Sequence, residues 1–386
     1  MKHNWEYKTF GSLCNIVRGG SPRPIQDYLT DSAEGLNWIK IGDVAAGSKY
    51  IIATKEKIKR EGLVKTRQVF KGDFILSNSM SFGRPYILKI DGCIHDGWLA
   101  IKGVENHFIP DFLYYYLSAP STYSIFEKLV KGGVVSNLNS DIVKGIDVPL
   151  PTIDMQRQIV AELDQINDLI AKNRELLSQL DALAQSLFYD YFSSIDEYVP
   201  LSHYVNSLVG GKSLAGKEFC KNRVLKSGAI TYDYFDKNST KFLPLDYIPS
   251  PEHSVKIGDL IISRMNTAEL VGACAYVFDV DENVYLPDRL WRIEYKSNAN
   301  PIFLWKSLIA EPVKEQIRAK ASGTSGTMKN ISKPLLLSVK LKKVPLELQE
   351  KFAARIEEIE EQKKVVENTI AELQTLLDSR MDYWFN

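Results

Sequence analysis

Apolar residues set the first pattern along the chain. From Ile159 they fall at Leu163, Ile166 and Ile170, then at Leu177, Leu180, Ala184 and Leu187, in steps that alternate four and three. The one gap falls on polar Asn173. A second seam runs Phe352, Ile356, Ile359, then Val366, Ile370, Leu373, Leu377 and Trp384, interrupted by Lys363 and Arg380. Alternating three-four spacing over several heptads predicts two long helices that pack as a coiled coil. Prolines 149, 151 and 345 mark the entries, where a missing N–H costs nothing. No Gly or Pro lies in the interior of 154–192 or 345–384. Each helix of about 38 residues would be roughly 57 Å long at 1.5 Å per residue.

Between the helices the pattern changes. Short β-like runs separated by Gly/Asp turns occupy 36–44, 70–77, 84–90 and 97–103, and again 224–230, 255–263, 272–280 and 289–295. FKGDFILS and VKIGDLIIS are one element written twice. A helical stretch follows in each half, 110–130 and 301–321, with Pro120 and Pro312 expected to break or kink it. The helix entries repeat too: VPLPTIDMQRQIVAELDQINDLI at 148–170 meets LKKVPLELQEKFAARIEEIEEQK at 341–363, an offset of 193 that pairs Gln156 with Gln349. Self-similarity on this scale is a duplicated domain plus helix, not a solenoid. The chain therefore reads as α+β, with two pseudo-symmetric domains at 1–150 and 194–344 and helices at 151–193 and 345–386. An antiparallel helix pair would hold the two domains at opposite ends of one rod.

The net charge of zero hides a segregation. Residues 1–150 carry +4 and 194–344 carry +5, while 151–193 carry −4 and 345–386 carry −5. Basic domains suit a polyanion, and acidic helices suit a different partner. Four scattered cysteines form no zinc or disulfide pattern. No membrane span or secretory leader is expected, so a cytoplasmic location is.

Catalytic motifs fail. Gly210-Gly211-Lys212-Ser213 imitates the end of a P-loop, but Asn206 stands where its first glycine must be. GxGxxG, HExxH, GxSxG and an Asn-Pro-Pro-Tyr motif are absent. His95-Asp96 and Asp288, in comparable places before Trp98 and Trp291, read as turn residues. Five unclustered histidines give no metal site. A binder is expected, not an enzyme.

Gly, Ser, Asn and basic residues recur in paired loops: 19–24 with 210–216, 77–84 with 263–270, and 131–139 with 322–330, where Gly133 aligns with Gly326 and Asn137 with Asn330. Backbone amides and cations in such loops hold phosphates, and Arg and Asn read guanine and adenine edges.

Two basic α+β domains, each followed by an acidic heptad helix with PLP…QRQIV at its entry and SLFYDYF (186–192) or SRMDYWF (379–385) at its exit, resemble the specificity subunit of type I restriction–modification systems. The resemblance covers essentially the whole chain. It implies that each domain is a target recognition domain for double-stranded DNA. It implies that the helices are a spacer that docks two methyltransferase (modification) subunits, with two restriction subunits in complexes that cut. The subunit would lack catalytic activity and direct adenine methylation to an asymmetric bipartite target. S-adenosylmethionine, ATP and Mg would reside on the partners, and none in this chain. Candidate DNA contacts are Ser21, Arg23, Asn78, Ser79, Ser81, Arg84, Lys131, Ser136 and Asn137 in the first domain. In the second they are Lys212, Ser213, Arg264, Asn266, Ser322, Thr324, Ser325, Lys329 and Asn330. Their division between bases and phosphates stays open. The alternative is a coiled-coil scaffold joining two protein-binding domains without a DNA role. A related system that methylates without cutting is not separable from the sequence.

Overall fold

The computed structural model describes residues 3–44, 47–79, 82–131, 137–325 and 328–386. It forms two compact units: residues 1–174 with 368–386, and residues 175–367. The boundary cuts both long helices, Ile153–Phe192 and Leu346–Phe385, so each unit holds about half of each.

In the first unit one five-stranded sheet runs in the order Asn15–Arg18, Trp98–Lys102, Phe74–Ser77, Pro85–Leu88, Tyr50–Ile51. A second runs Leu29–Thr30, Glu56–Ile58, Leu36–Ile39, Gly92–Ile94, Arg67–Val69. Glu6–Thr9 and Asp147–Leu150 pair antiparallel and close the domain. In the second unit the order Val205–Gly210, Leu290–Tyr295, Leu260–Ser263, Cys274–Tyr276 repeats the first sheet without its last strand. Thr240–Phe242, Arg223–Leu225 and Val284–Tyr285 repeat part of the second, and Tyr198–Pro200 with Lys340–Lys342 repeat the closing pair.

The repeated Gly-Asp turn has one mechanism in both units. Gly72 and Gly258 sit at φ +96° and +92°, where a side chain would be strained. Asp73 accepts from the Phe70 N–H at 2.9 Å, and Asp259 from Lys256 at 2.8 Å. The expected proline breaks are present: Pro110–Ser118 is followed by Pro120–Lys131, and Pro301–Ile309 by Glu311–Lys320. Pro120 is the first and Pro312 the second residue of the second helix of each pair, in the first turn where no N–H is needed.

Buried glutamines tie each long helix to its domain. Gln156 accepts from the Ile109 N–H (2.8 Å) and donates to the carbonyls of His107 (3.0 Å) and Pro151 (3.1 Å). Gln349 accepts from Asn300 (2.8 Å) and donates to Asn298 (3.1 Å) and Val344 (2.8 Å). Both are fully buried.

Each unit pairs opposite halves of the helices, the antiparallel sense. In the first, Ile159, Leu163, Ile166 and Ile170 share a core with Leu377, Met381 and Trp384, with Ile370 and Leu373 partly buried beside them. In the second, Phe192 packs on Phe352 with rings 5.0 Å apart, while Asp181 meets Lys363 at 2.7 Å. Leu180 and Leu187 flank that core, which includes Phe352, Ile356 and Ile359. Leu177 is half-buried and Val366 buried. A fully buried Leu or Ile contributes about 1.5–3 kcal/mol. The charged interruptions of the seam are paired: Lys363 with Asp181, and Arg380 with Glu162, whose carboxylate also takes the Trp384 indole N–H at 3.0 Å. Asn173 bonds back to the Leu169 carbonyl of its own helix at 2.8 Å.

Candidate nucleic-acid interface

The same clasp is built in both units. Gly19 passes so close to the His95 carbonyl that a Cβ would collide with it, and Gly211 does the same at Leu286. That close approach delivers Ser21 to Asp96, where its hydroxyl donates to the carboxylate at 2.7 Å. Ser213 donates to the Asp288 carboxylate in the same way. Each serine oxygen also accepts from the aspartate's own N–H, at 3.3 and 3.2 Å. Both pairs stand 192 residues apart.

The aspartate carbonyl gathers a second loop. Asn78 donates its amide to the Asp96 carbonyl at 2.9 Å, and Arg264 donates Nε to the Asp288 carbonyl at 2.8 Å. The carbonyls of Asn78 and Arg264 in turn accept from Leu138 and Ile331, both at 3.0 Å, which tethers the third loop of each unit. Three loops therefore meet at one aspartate in each unit. The scaffold is common, and the side chain at the shared position differs: Asn in one, Arg in the other.

The candidate contacts divide accordingly. Ser21 is half-buried, while Arg23 projects with its side chain 82% exposed, 3.6 Å from Asp96. Arg84 and Asn137 are exposed and Ser79 half-buried. Asn78 is buried, its amide committed to Asp96, so it shapes the loop from inside and offers no edge to a ligand. Ser81 and Ser136, with the Gly133–Gly326 match, lie outside the described residues, as do the side chains of Lys131, Thr324 and Ser325.

In the second unit Lys212 and Ser213 are exposed, and the Lys212 ammonium lies 5.9 Å from the Tyr247 ring. Met265–Asn266, Met328–Asn330 and Ser322–Ser325 form a small antiparallel sheet. It brings together Asn266, Lys329, Asn330 and Ser322. Arg264 and Lys333 both lie over the Trp291 ring, at 5.6 and 5.7 Å. This corrects the matching of Trp98 with Trp291. Trp98 stands opposite Ser77, as Leu290 stands opposite Ser263. Trp291 is therefore one residue on, facing the opposite side of its sheet.

Sequence reasoning missed an open cleft of about 870 Å³ in the first unit, whose lining includes Ser21, Arg23, Gln26, Lys40, Glu56 and His95. Burial lowers the pKa of His95, favouring the neutral ring. The Ser21 hydrogen bond holds the Asp96 carboxyl below its ordinary value. Among the described residues no group of acids, cysteines and histidines is placed to hold a metal, and no helix is long and apolar enough to cross a membrane.

A duplicated α+β domain, each copy closed by half of an antiparallel helix pair and each gathering three polar loops at one aspartate, defines a twin-headed recognition protein. A family model described as type I restriction modification DNA specificity domain matches residues 2–182. The MjaVIII specificity subunit of Methanocaldococcus jannaschii is 24% identical across 92% of this chain and 86% of its own length. The EcoKI specificity subunit of Escherichia coli K12 is 19% identical across 98% and 88%. The fold matches the S subunit from M. genitalium (TM-score 0.53, 13% identical, 98% and 95% covered). It also matches a chain from a study of complex assembly and conformational transition in a type I R-M system (TM-score 0.57, 18% identical, 99% and 97% covered). Residues 2–182 thus match the DNA specificity domain of type I restriction–modification systems, and nearly the whole chain is similar to type I restriction enzyme specificity subunits.

Proposed function

We propose that the chain directs a type I restriction–modification complex to a split DNA target, each globular domain reading one half. One observation carries this reading. The two clasps share their serine, aspartate and backbone geometry yet tether loops with different side chains, Ser79 and Asn137 in one and Asn266, Lys329 and Asn330 in the other. A common frame with divergent side chains is what two readers of different sequences require, since base edges are distinguished by donor and acceptor pattern. Exposed Arg23, Arg84 and Lys212 would position the duplex through phosphates, and the tethered loops would test bases. The paired helices would serve as spacer and as the docking site for two methyltransferase subunits, which two restriction subunits join where the system cuts. S-adenosylmethionine, ATP and Mg would be held by those partners.

Mapping methylated adenines in cells that carry the chain with its methyltransferase partner tests this. The expected result is one asymmetric motif of two short specified parts separated by a fixed unspecified gap. Methylation unaltered by deleting the chain would reject the reading and favour a scaffold without a DNA role.

A further inference from the structure

The cleft of the first unit differs in charge from the same place in the second, and the difference points to a base-reading pair. Lys40 follows strand Leu36–Ile39, and its ammonium sits 2.5 Å from the Glu56 carboxylate. Trp38 stands opposite Glu56 in the ladder and is almost wholly buried behind the pair. In the second unit Val224 takes the place of Trp38, and Lys241 stands opposite it. The turn after each strand matches: Asp43 N–H bonds to the Lys40 carbonyl, and Ala229 N–H to the Lys226 carbonyl. Lys226 therefore corresponds to Lys40, and Lys241 to Glu56. Among the described residues neither Lys226 nor Lys241 meets an acid.

A carboxylate beside a polyanion is unfavourable unless it does something a cation cannot. Stability does not explain it, because both side chains are about a third exposed (34% and 38%) and so open a pair adds little. A carboxylate is an acceptor only, and in the major groove it accepts from the amino group of cytosine or adenine while being repelled by phosphate and carbonyl oxygen. The neighbouring ammonium donates to a purine N7 or a carbonyl. Donor and acceptor held side by side match the mixed edge of one base pair. Two lysines, as in the second unit, match acceptors only: phosphate, purine N7 or a base carbonyl. Ser21 and Arg23, from the clasp loop, line the same cleft.

We propose that Lys40 and Glu56 are specificity-determining residues of the first domain, Glu56 accepting from the exocyclic amino group of one cytosine or adenine in its half-site. This rests on the DNA-reading role above. Methylated adenines are mapped for the wild-type chain with its methyltransferase partner, and for Glu56→Gln and Lys40→Met in the same assembly. Glu56→Gln can donate as well as accept, so discrimination at one position of one half-site is expected to fall on the order of tenfold or more. The other half-site should keep its stringency. Lys40→Met should relax the same or the adjacent position. A split wild-type motif with unchanged specificity in both variants overturns this inference and leaves the wider reading standing. Equal weakening at every site also overturns it, because that marks a structural or phosphate role. Absence of a split motif in the wild type overturns both.

Discussion

Asp96→Ala isolates the carboxylate of the first clasp. The main-chain carbonyl remains, so Asn78 and Arg18 keep their bonds to it at 2.9 and 3.0 Å. What disappears is the acceptor for the Ser21 hydroxyl at 2.7 Å and the charge 3.6 Å from Arg23. A hydrogen bond to a charged group contributes about 1.5–3 kcal/mol when shielded. Asp96 is 41% exposed, and screening reduces this to about 1 kcal/mol. That free energy holds loop 19–24 in place, so specific binding through the first half-site should fall about fivefold. Removing an anion beside Arg23 should leave non-specific affinity equal or slightly higher. The assay is competition binding at fixed salt by the chain assembled with its methyltransferase. One set of duplexes is altered in the first half-site and another in the second. Asp96→Asn keeps an acceptor for Ser21 and should lose less. Equal loss through both half-sites, or no loss through the first, would refute the role given to the clasp.

Arg84→Ala should weaken binding across sequences and reduce the salt slope by about 1, as a lost phosphate contact does, whereas Arg264→Ala should also loosen its loop from Asp288; salt titrations of both variants check this. Gln156→Leu leaves the Ile109 N–H and two carbonyls unpaired and should destabilise the first unit by about 2–4 kcal/mol, measurable by urea unfolding, with Gln349→Leu doing the same in the second. Glu162 has its pKa lowered, chiefly by the Arg380 hydrogen bond. Its contribution is therefore present above the ordinary carboxylate value and lost as pH falls through the lowered one. Glu162→Gln should cost up to about 1 kcal/mol near neutrality and flatten the acid limb of stability against pH, which melting across an acid series will show.

Periodicity and repetition made the helices legible: ends expected at 154–192 and 345–384 stand at Ile153–Phe192 and Leu346–Phe385. Pro120 and Pro312 marked real breaks because ring geometry leaves few alternatives. The site was less legible, because one constant offset does not run through the domains. It is 193 at Gln156, 192 at Ser21 and 186 at Lys40, as loops gain and lose residues. Holding 192 through both Ser21–Ser213 and Asp96–Asp288 would have revealed the clasp. Glu56 against Lys241 emerges only from strand register, which backbone pairing sets. Asn78 has the composition of a contact residue, yet its amide is spent inside the loop. The charged breaks in the second seam gave no sign of their partners, since Asp181 and Glu162 lie on the other helix.

Exchanging residues 1–150 for the corresponding domain of a type I specificity subunit, then mapping methylated adenines, tests the central claim most directly. The account predicts a motif changed in one half only, with the other half retained. A motif changed in both halves, or in neither, would contradict it.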